Sequence, residues 1–101
     1  AFEDAINANI LTRGDGPPRV SYAAYLMRKD GESRKDDIIA TLEPLTSNIE
    51  KYPEGTKIYL GAERNNVLGA QSILIQLAAL DPAFKNMLIS VGWSGADFAA
   101  P

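Results

Sequence analysis

The sequence contains no cysteine and no histidine among its 101 residues. Without cysteine the chain can form no disulfide bond, and it has no thiolate to serve as a nucleophile or metal ligand. Without histidine it lacks the side chain on which most zinc, copper and non-haem iron sites and most catalytic triads depend. An enzyme built from this chain would have to use carboxylates, lysines, arginines and tyrosines. The composition therefore favours a non-enzymatic protein with no metal or other cofactor.

Basic residues are fewer than acidic ones, and the formal net charge is -3. Phosphate contacts need a dense basic surface, so nucleic acid is not an expected partner. No apolar run reaches the roughly 18 residues of a membrane-spanning helix, which predicts a soluble chain without a transmembrane segment. The first residue is Ala1, which fits loss of an initiator methionine or of a targeting peptide. The expected location is either the cytoplasm or an exported or organelle compartment.

The most apolar stretch lies between Asn65 and Leu80 and contains no charged residue. Its apolar side chains recur at three- and four-residue steps, which predicts a central helix around which the core forms. A side-chain oxygen of Asn65 or Asn66 would cap its start, and the helix would end before Pro82 because prolines disfavour helical angles in the preceding residue. The positions that define its apolar face are Val67, Ala70, Leu74, Leu77 and Ala78.

A chain of this length is expected to form a single domain, residues 1–101. Helical spacing and helix-end signals predict a mainly α bundle of four to five helices joined by short turns. Ser33 and Asp36 have the spacing of a capping box, and Asp81 before Pro82 is a typical helix start. Pro44 should kink the helix that contains it. The predicted helices are residues 2–12, 18–29, 34–51, 66–80 and 82–91.

Residues 56–64 fit this arrangement least well, because Thr56, Ile58 and Tyr59 favour strand. The alternative architecture is an α/β two-layer domain in which residues 20–27, 57–61 and 87–91 form a small sheet. That alternative gives residues 56–64 partners, but it ignores the helical apolar face that begins at Phe84.

Two groups of residues are candidates for binding. Arg64 with Asn65 and Asn66 precedes the central helix, where backbone amides and a guanidinium can hold an anion or phosphate group. Capping of the helix by an asparagine explains the same residues without a ligand. Residues 93–101 follow Gly92 and carry Trp93 and Phe98, two large aromatics in a segment too short to form its own core. They are predicted to be a docking tail that binds a protein partner, unless they pack on the chain's own bundle.

Other motifs have simpler explanations. Residues 13–15, Arg-Gly-Asp, match a tripeptide of integrin-binding loops. A helix that ends at Arg-Gly and is followed by a turn at Asp explains the same three residues. Asp36 and Asp37 would lie in the first turn of a helix, where the helix dipole favours acids. With Glu32 they lack the alternating ligand spacing of a calcium loop.

The helical layout is similar to that of small extrinsic subunits that dock on the aqueous face of photosystem-type membrane complexes. This resemblance implies an accessory or structural role exercised through protein contact in a larger assembly. The alternative is a small anion- or phosphate-binding domain that uses the start of the central helix. An enzyme relying on carboxylates is the third possibility, and no residue pattern indicates its site.

Overall fold

The computed structural model describes residues 18–67 and 69–99, which are 85% helical and include no strand. The prediction of a mainly α bundle is therefore confirmed. The α/β alternative is wrong, because its three proposed strands fall in helices. The predicted helix 2–12 and the tripeptide 13–15 lie outside the described residues. The main helices are α1 (Pro18–Asp30), α2 (Lys35–Ser47), α3 (Glu54–Ala62), α4 (Ala70–Leu80) and α5 (Pro82–Ser90), followed by the single turn α6 (Gly95–Phe98).

The core forms around α4, as its uncharged sequence predicts. Leu74 and Leu77 are almost completely buried, and each such side chain contributes about 1.5–3 kcal/mol through removal from water. Helices α1 and α5 pack directly on α4, and α2 packs on α1 and α5. None of the helices in the described part of the chain combines the length and apolar character needed to span a membrane. The fully buried side chains from these neighbours are Leu26, Ile38, Leu42, Leu45, Phe84 and Leu88.

The start of α4 differs from the prediction. The helix begins at Ala70 and not at residue 66, and Gly69 occupies its N-cap position without a side-chain cap. Asn66 contributes its backbone instead, because its carbonyl accepts hydrogen bonds from the amides of Gly69 and Gln71. The predicted asparagine cap is therefore wrong. The predicted burial of Val67 is also wrong: it precedes the helix and is 64% exposed.

Helix α2 is shorter than the predicted helix 34–51. It ends at Ser47, three residues after Pro44, and Asn48 leaves helical geometry before a 3₁₀ turn at Ile49–Lys51. Its start is also different from the predicted capping box. The hydroxyl of Ser33 donates to the carbonyl of Asp30, since a 3₁₀ turn occupies Gly31–Arg34.

Helix α3 was not among the predicted helices. Its β-branched residues lower helix propensity by only a few tenths of a kcal/mol each, and burial of Thr56 and Leu60 outweighs this. Pro53 precedes the helix, and its carbonyl accepts from the amide of Thr56. A 3₁₀ turn at Glu63–Asn65 follows and leads toward α4.

Helix α5 begins and ends as its sequence predicts. A side-chain oxygen of Asp81 accepts a hydrogen bond from the amide of Ala83 at 3.0 Å. At the other end Gly92 has a φ of 123°, a backbone conformation that favours glycine. The amide of Gly92 donates to the carbonyl of Ile89 and that of Trp93 to Leu88, which is a Schellman motif. This motif reverses the chain and turns Trp93 back toward the bundle.

Candidate functional site

Trp93 belongs to the core. Its side chain is 2% exposed, and its indole nitrogen donates a hydrogen bond to the carbonyl oxygen of Leu60 at 2.8 Å. Of the two alternatives for residues 93–101, docking on a partner or packing on the chain's own bundle, the structure shows the second for Trp93, and binding of a partner by Trp93 stays a prediction that its burial does not favour. The reversal at Gly92 is the physical reason, since it directs the indole inward.

The partner of the indole is the last turn of α3. The final carbonyls of a helix lack partners within the helix, and the indole N–H satisfies that of Leu60. Gly61 follows, and a Cβ atom at this position would clash with the carbonyl oxygen of Val91. A glycine here thus permits the backbones at the ends of α3 and α5 to come into direct contact.

Residues 94–99 cover the indole from the outside. Phe98 is half-buried, and its ring centroid lies 5.2 Å from that of Trp93. The amine of Lys85 lies 5.3 Å from the centroid of the Phe98 ring, within range of a cation–π contact. Ser94 and Asp97 form a capping box at the start of α6. Phe98 thus packs on Trp93 while Ser94, Gly95, Ala96 and Ala99 are exposed, and binding of a partner by Phe98 stays a prediction.

The Arg64 cluster forms the connection between α3 and α4. A guanidinium nitrogen of Arg64 donates to the carbonyl of Gly61 at 2.6 Å, and the Arg64 carbonyl accepts from the side chain of Gln71 at 2.6 Å. The side-chain Nδ2 of Asn66 donates a hydrogen bond to the buried carboxylate of Glu63 at 3.0 Å. A cation near the end of a helix interacts favourably with its dipole.

This geometry brings Arg64 and Asn66 into one connection and leaves Asn65 exposed. It does not place the guanidinium at the start of a helix, because α4 begins only at Ala70. The carboxylate of Glu63 would also repel an anion. Anion binding stays a prediction that the local hydrogen bonds do not favour.

Charged side chains elsewhere form surface pairs. The hydrogen bond with Asp37 at 2.7 Å raises the pKa of Arg34, and the hydrogen bond with Glu54 raises the pKa of Lys57. The acids are largely exposed, so each pair contributes little to stability. Asp36 and Asp37 occupy the first turn of α2, as predicted from the helix dipole. Within residues 18–67 and 69–99, no group of three acidic side chains is placed to hold a metal ion.

The outward face of α3 is the feature that the sequence reasoning missed. Ile58 is 64% exposed there, and Gly55 and Ala62, three residues before it and four after it, are exposed as well. These three positions carry no charge. The helical spacing of residues 55, 58 and 62 is the signal that could have found this face, but the strand-favouring residues Thr56, Ile58 and Tyr59 indicate a different structure.

Two open grooves lie elsewhere on the described surface, with volumes of about 380 and 260 Å³. Neither contains a residue predicted to bind a partner or ligand. The larger lies between the end of α1 and the end of α4, and the smaller follows α2. Their linings are Met27, Gly31, Glu32, Gln76, Ala79 and Leu80 for the first, and Pro44, Asn48, Lys51, Tyr52 and Pro53 for the second.

Comparisons of the chain with protein-family models, with curated proteins and with solved structures gave no match. The choice among functions therefore depends on where the side chains lie. Trp93 is interior, Arg64 is engaged in the α3–α4 connection, and Ile58 projects from the surface.

Proposed function

We propose that this chain is a non-enzymatic accessory domain that acts through protein contact, and that the outward face of α3 is part of its contact surface. The observation that supports this is the 64% exposure of Ile58 between two small, exposed residues, Gly55 and Ala62. One exposed isoleucine alone is common on protein surfaces. An exposed isoleucine flanked on its helix face by two small residues, with Glu54 one turn before it, has the shape of an interface anchor with a charged rim.

The shape of this face suits a helix of the partner. Small residues on either side of Ile58 let a second backbone approach closely, and the isoleucine can enter the groove between the partner's side chains. The partner's surface should therefore be apolar and carry little charge where it meets Ile58. Helix α3 has nine residues, about 13 Å of length, so its face alone is smaller than a stable interface. It would be one part of a larger contact.

The setting we propose is a larger assembly, such as the aqueous face of a membrane complex. The similarity of the helical layout to extrinsic subunits of such complexes supports this setting. The competing proposal, an anion-binding domain, has weaker support. The side chains of Arg64 and Asn66 already donate hydrogen bonds to Gly61 and Glu63, so these donors are not free for an anion.

The proposal is tested by recovering partners from an extract of the cells that make the protein, with the partners identified by mass spectrometry after chemical crosslinking. Three chains are compared: the parent, Ile58→Asp, and the control Ile89→Asp. Ile89 is a matched control because it is also an exposed isoleucine, 47% accessible, but on α5.

The parent and the control should recover the same partner, crosslinked through residues near α3. Loss of an interface anchor typically weakens binding by about 2 kcal/mol or more, so Ile58→Asp should reduce recovery roughly thirtyfold. Circular dichroism should show the same helix content for all three chains. Equal recovery by the parent and Ile58→Asp would contradict the proposal, and so would equal loss in both variants.

A further inference from the structure

Helix α3 buries few of its residues in the bundle, one near its start and two near its end. Of its nine residues only Thr56, Leu60 and Gly61 are buried, whereas Ile58 and its neighbours on the outer face are exposed. Its N-terminal half carries the ion pairs of Lys57, which are on the surface. Close attachment to α5 and the residues after it comes from the bond between Trp93 and Leu60 and from the contact between Gly61 and Val91.

The segment after α5 depends on the same contact. Trp93 is its deepest residue, and Phe98 packs against the Trp93 ring at 5.2 Å. If α3 moved away, the indole N–H would lose its acceptor and the ring would lose one wall of its site. If the indole left, the carbonyl of Leu60 would lose its donor. Each segment therefore stabilises the other.

Helices α1, α2, α4 and α5 have a core of their own. Leu26, Ile38, Leu77 and Phe84 are almost completely buried there, and they come from all four helices. This core includes eight of the nine largest fully buried side chains, and Leu60 alone comes from α3. Loss of α3 would uncover one edge of this core and leave most of its apolar contacts in place.

We infer that α3 and residues 93–99 open and close as one cooperative unit, while α1, α2, α4 and α5 remain folded. The chain would bend at the reversal at Gly92, at the turn between Ser47 and Glu54, and at the 3₁₀ turn Glu63–Asn65 that leads from α3 toward α4. Proteins commonly open in such units, at a lower free energy than global unfolding. This unit brings together segments that are far apart in the sequence, so its two halves can be perturbed separately.

The inference is tested by residue-resolved amide hydrogen exchange on the full chain. Trp93→Phe removes the indole donor and keeps an aromatic ring. Loss of this bond should speed exchange roughly five- to 150-fold at the amides of Leu60 and Ala62 in α3 and at those of Asp97 and Ala99 after α5. In the parent, amides in the middle of α1 and α4 should exchange more slowly than these, because they are exposed only by global unfolding.

The second variant perturbs the unit from its other half. Ile58→Gly weakens α3 on its exposed face and touches nothing in the C-terminal segment, and it should speed exchange of Asp97 and Ala99 roughly two- to fivefold. The matched control is Ala40→Gly, an exposed position on α2. It should leave the exchange of Asp97 and Ala99 unchanged.

Two outcomes would overturn the inference. In the first, Ile58→Gly speeds exchange in α3 alone, which would show that the C-terminal segment does not open with it. In the second, Ala40→Gly speeds Asp97 and Ala99 by the same factor as the core amides, which would show that the whole domain opens as one unit. Faster exchange of α3 and residues 93–99 together in Trp93→Phe and Ile58→Gly, with Ala40→Gly speeding the core amides alone, supports the inference.

Discussion

The indole nitrogen of Trp93 lies 2.8 Å from the carbonyl oxygen of Leu60 and donates a hydrogen bond to it across 33 positions of the chain. Both residues are buried, so no water is available to replace the donor. The bond therefore connects the last turn of α3 to the turn after α5 and makes this junction sensitive to substitution.

Trp93→Phe should lower the free energy of unfolding by about 1–3 kcal/mol, because it leaves the buried Leu60 carbonyl without its donor. Trp93→Ala should cost about 3–5 kcal/mol, since it also removes the ring from the core. Urea unfolding followed by circular dichroism measures both. Phe98→Leu, at a half-buried position, is the control and should cost less than Trp93→Ala. Equal stability of Trp93→Phe and the parent would show that the bond contributes nothing.

Gly61→Ala should destabilise the protein even though alanine is the better helix former by about 1 kcal/mol. The added Cβ would meet the carbonyl oxygen of Val91, and overpacking of this kind typically costs about 1–3 kcal/mol. Gly95→Ala is the control, because a Cβ there meets nothing within 4 Å. In thermal melts, Gly61→Ala should have a lower melting temperature than the parent, and Gly95→Ala should not. A higher melting temperature for Gly61→Ala would mean that the helices are not in contact at this point.

Asp81→Ala should cost about 0.5–2 kcal/mol, because it removes the cap that accepts from the amide of Ala83. The second carboxylate oxygen of Asp81 is buried and has no hydrogen-bond partner in the described structure. Asp81→Ser keeps a capping oxygen and removes that second oxygen, so it should recover most of the loss. Urea midpoints of the three chains give the comparison. A serine variant no more stable than the alanine variant would argue against capping as the role of Asp81.

Leu77→Ala should cost about 2–5 kcal/mol, the usual range for truncation of a fully buried leucine. Val67→Ala should change stability by no more than about 0.5 kcal/mol, because Val67 is mostly exposed. Both residues belong to the same apolar stretch of the sequence. Equal losses in urea unfolding would place Val67 in the core and move the start of α4 toward the N-terminus.

The helices that could be predicted are those whose signals agree with each other. At the end of α4 and the start of α5 the apolar spacing, the Asp81 cap and the proline at residue 82 all indicate the same boundary, whereas no comparable signal marks the start of α4. In α3 the residue types favour strand, and burial of Thr56 and Leu60 against distant parts of the chain determines the outcome. That information is not local, so a reading of residues 56–64 by themselves could not supply it.

The candidate site was less predictable for a related reason. Asn66 offers a side-chain oxygen that can cap a helix, but α4 begins only at Ala70 with Gly69 at its N-cap, and the side-chain nitrogen of Asn66 donates to Glu63. Trp93 is compatible with a docking tail or with a core position, and only the direction of the chain after Gly92 distinguishes them. The exposure of Ile58 follows from helical spacing once α3 is known to be a helix.

The sequence contains one tryptophan, so its intrinsic fluorescence comes mainly from the junction between α3 and the turn after α5. Emission from a buried, hydrogen-bonded indole lies at shorter wavelength than emission from an indole in water. A red shift with unchanged far-ultraviolet ellipticity would therefore report separation of this junction without loss of the helices. The fluorescence of Trp93 can therefore follow the separation of α3 from the turn after α5 without an added label.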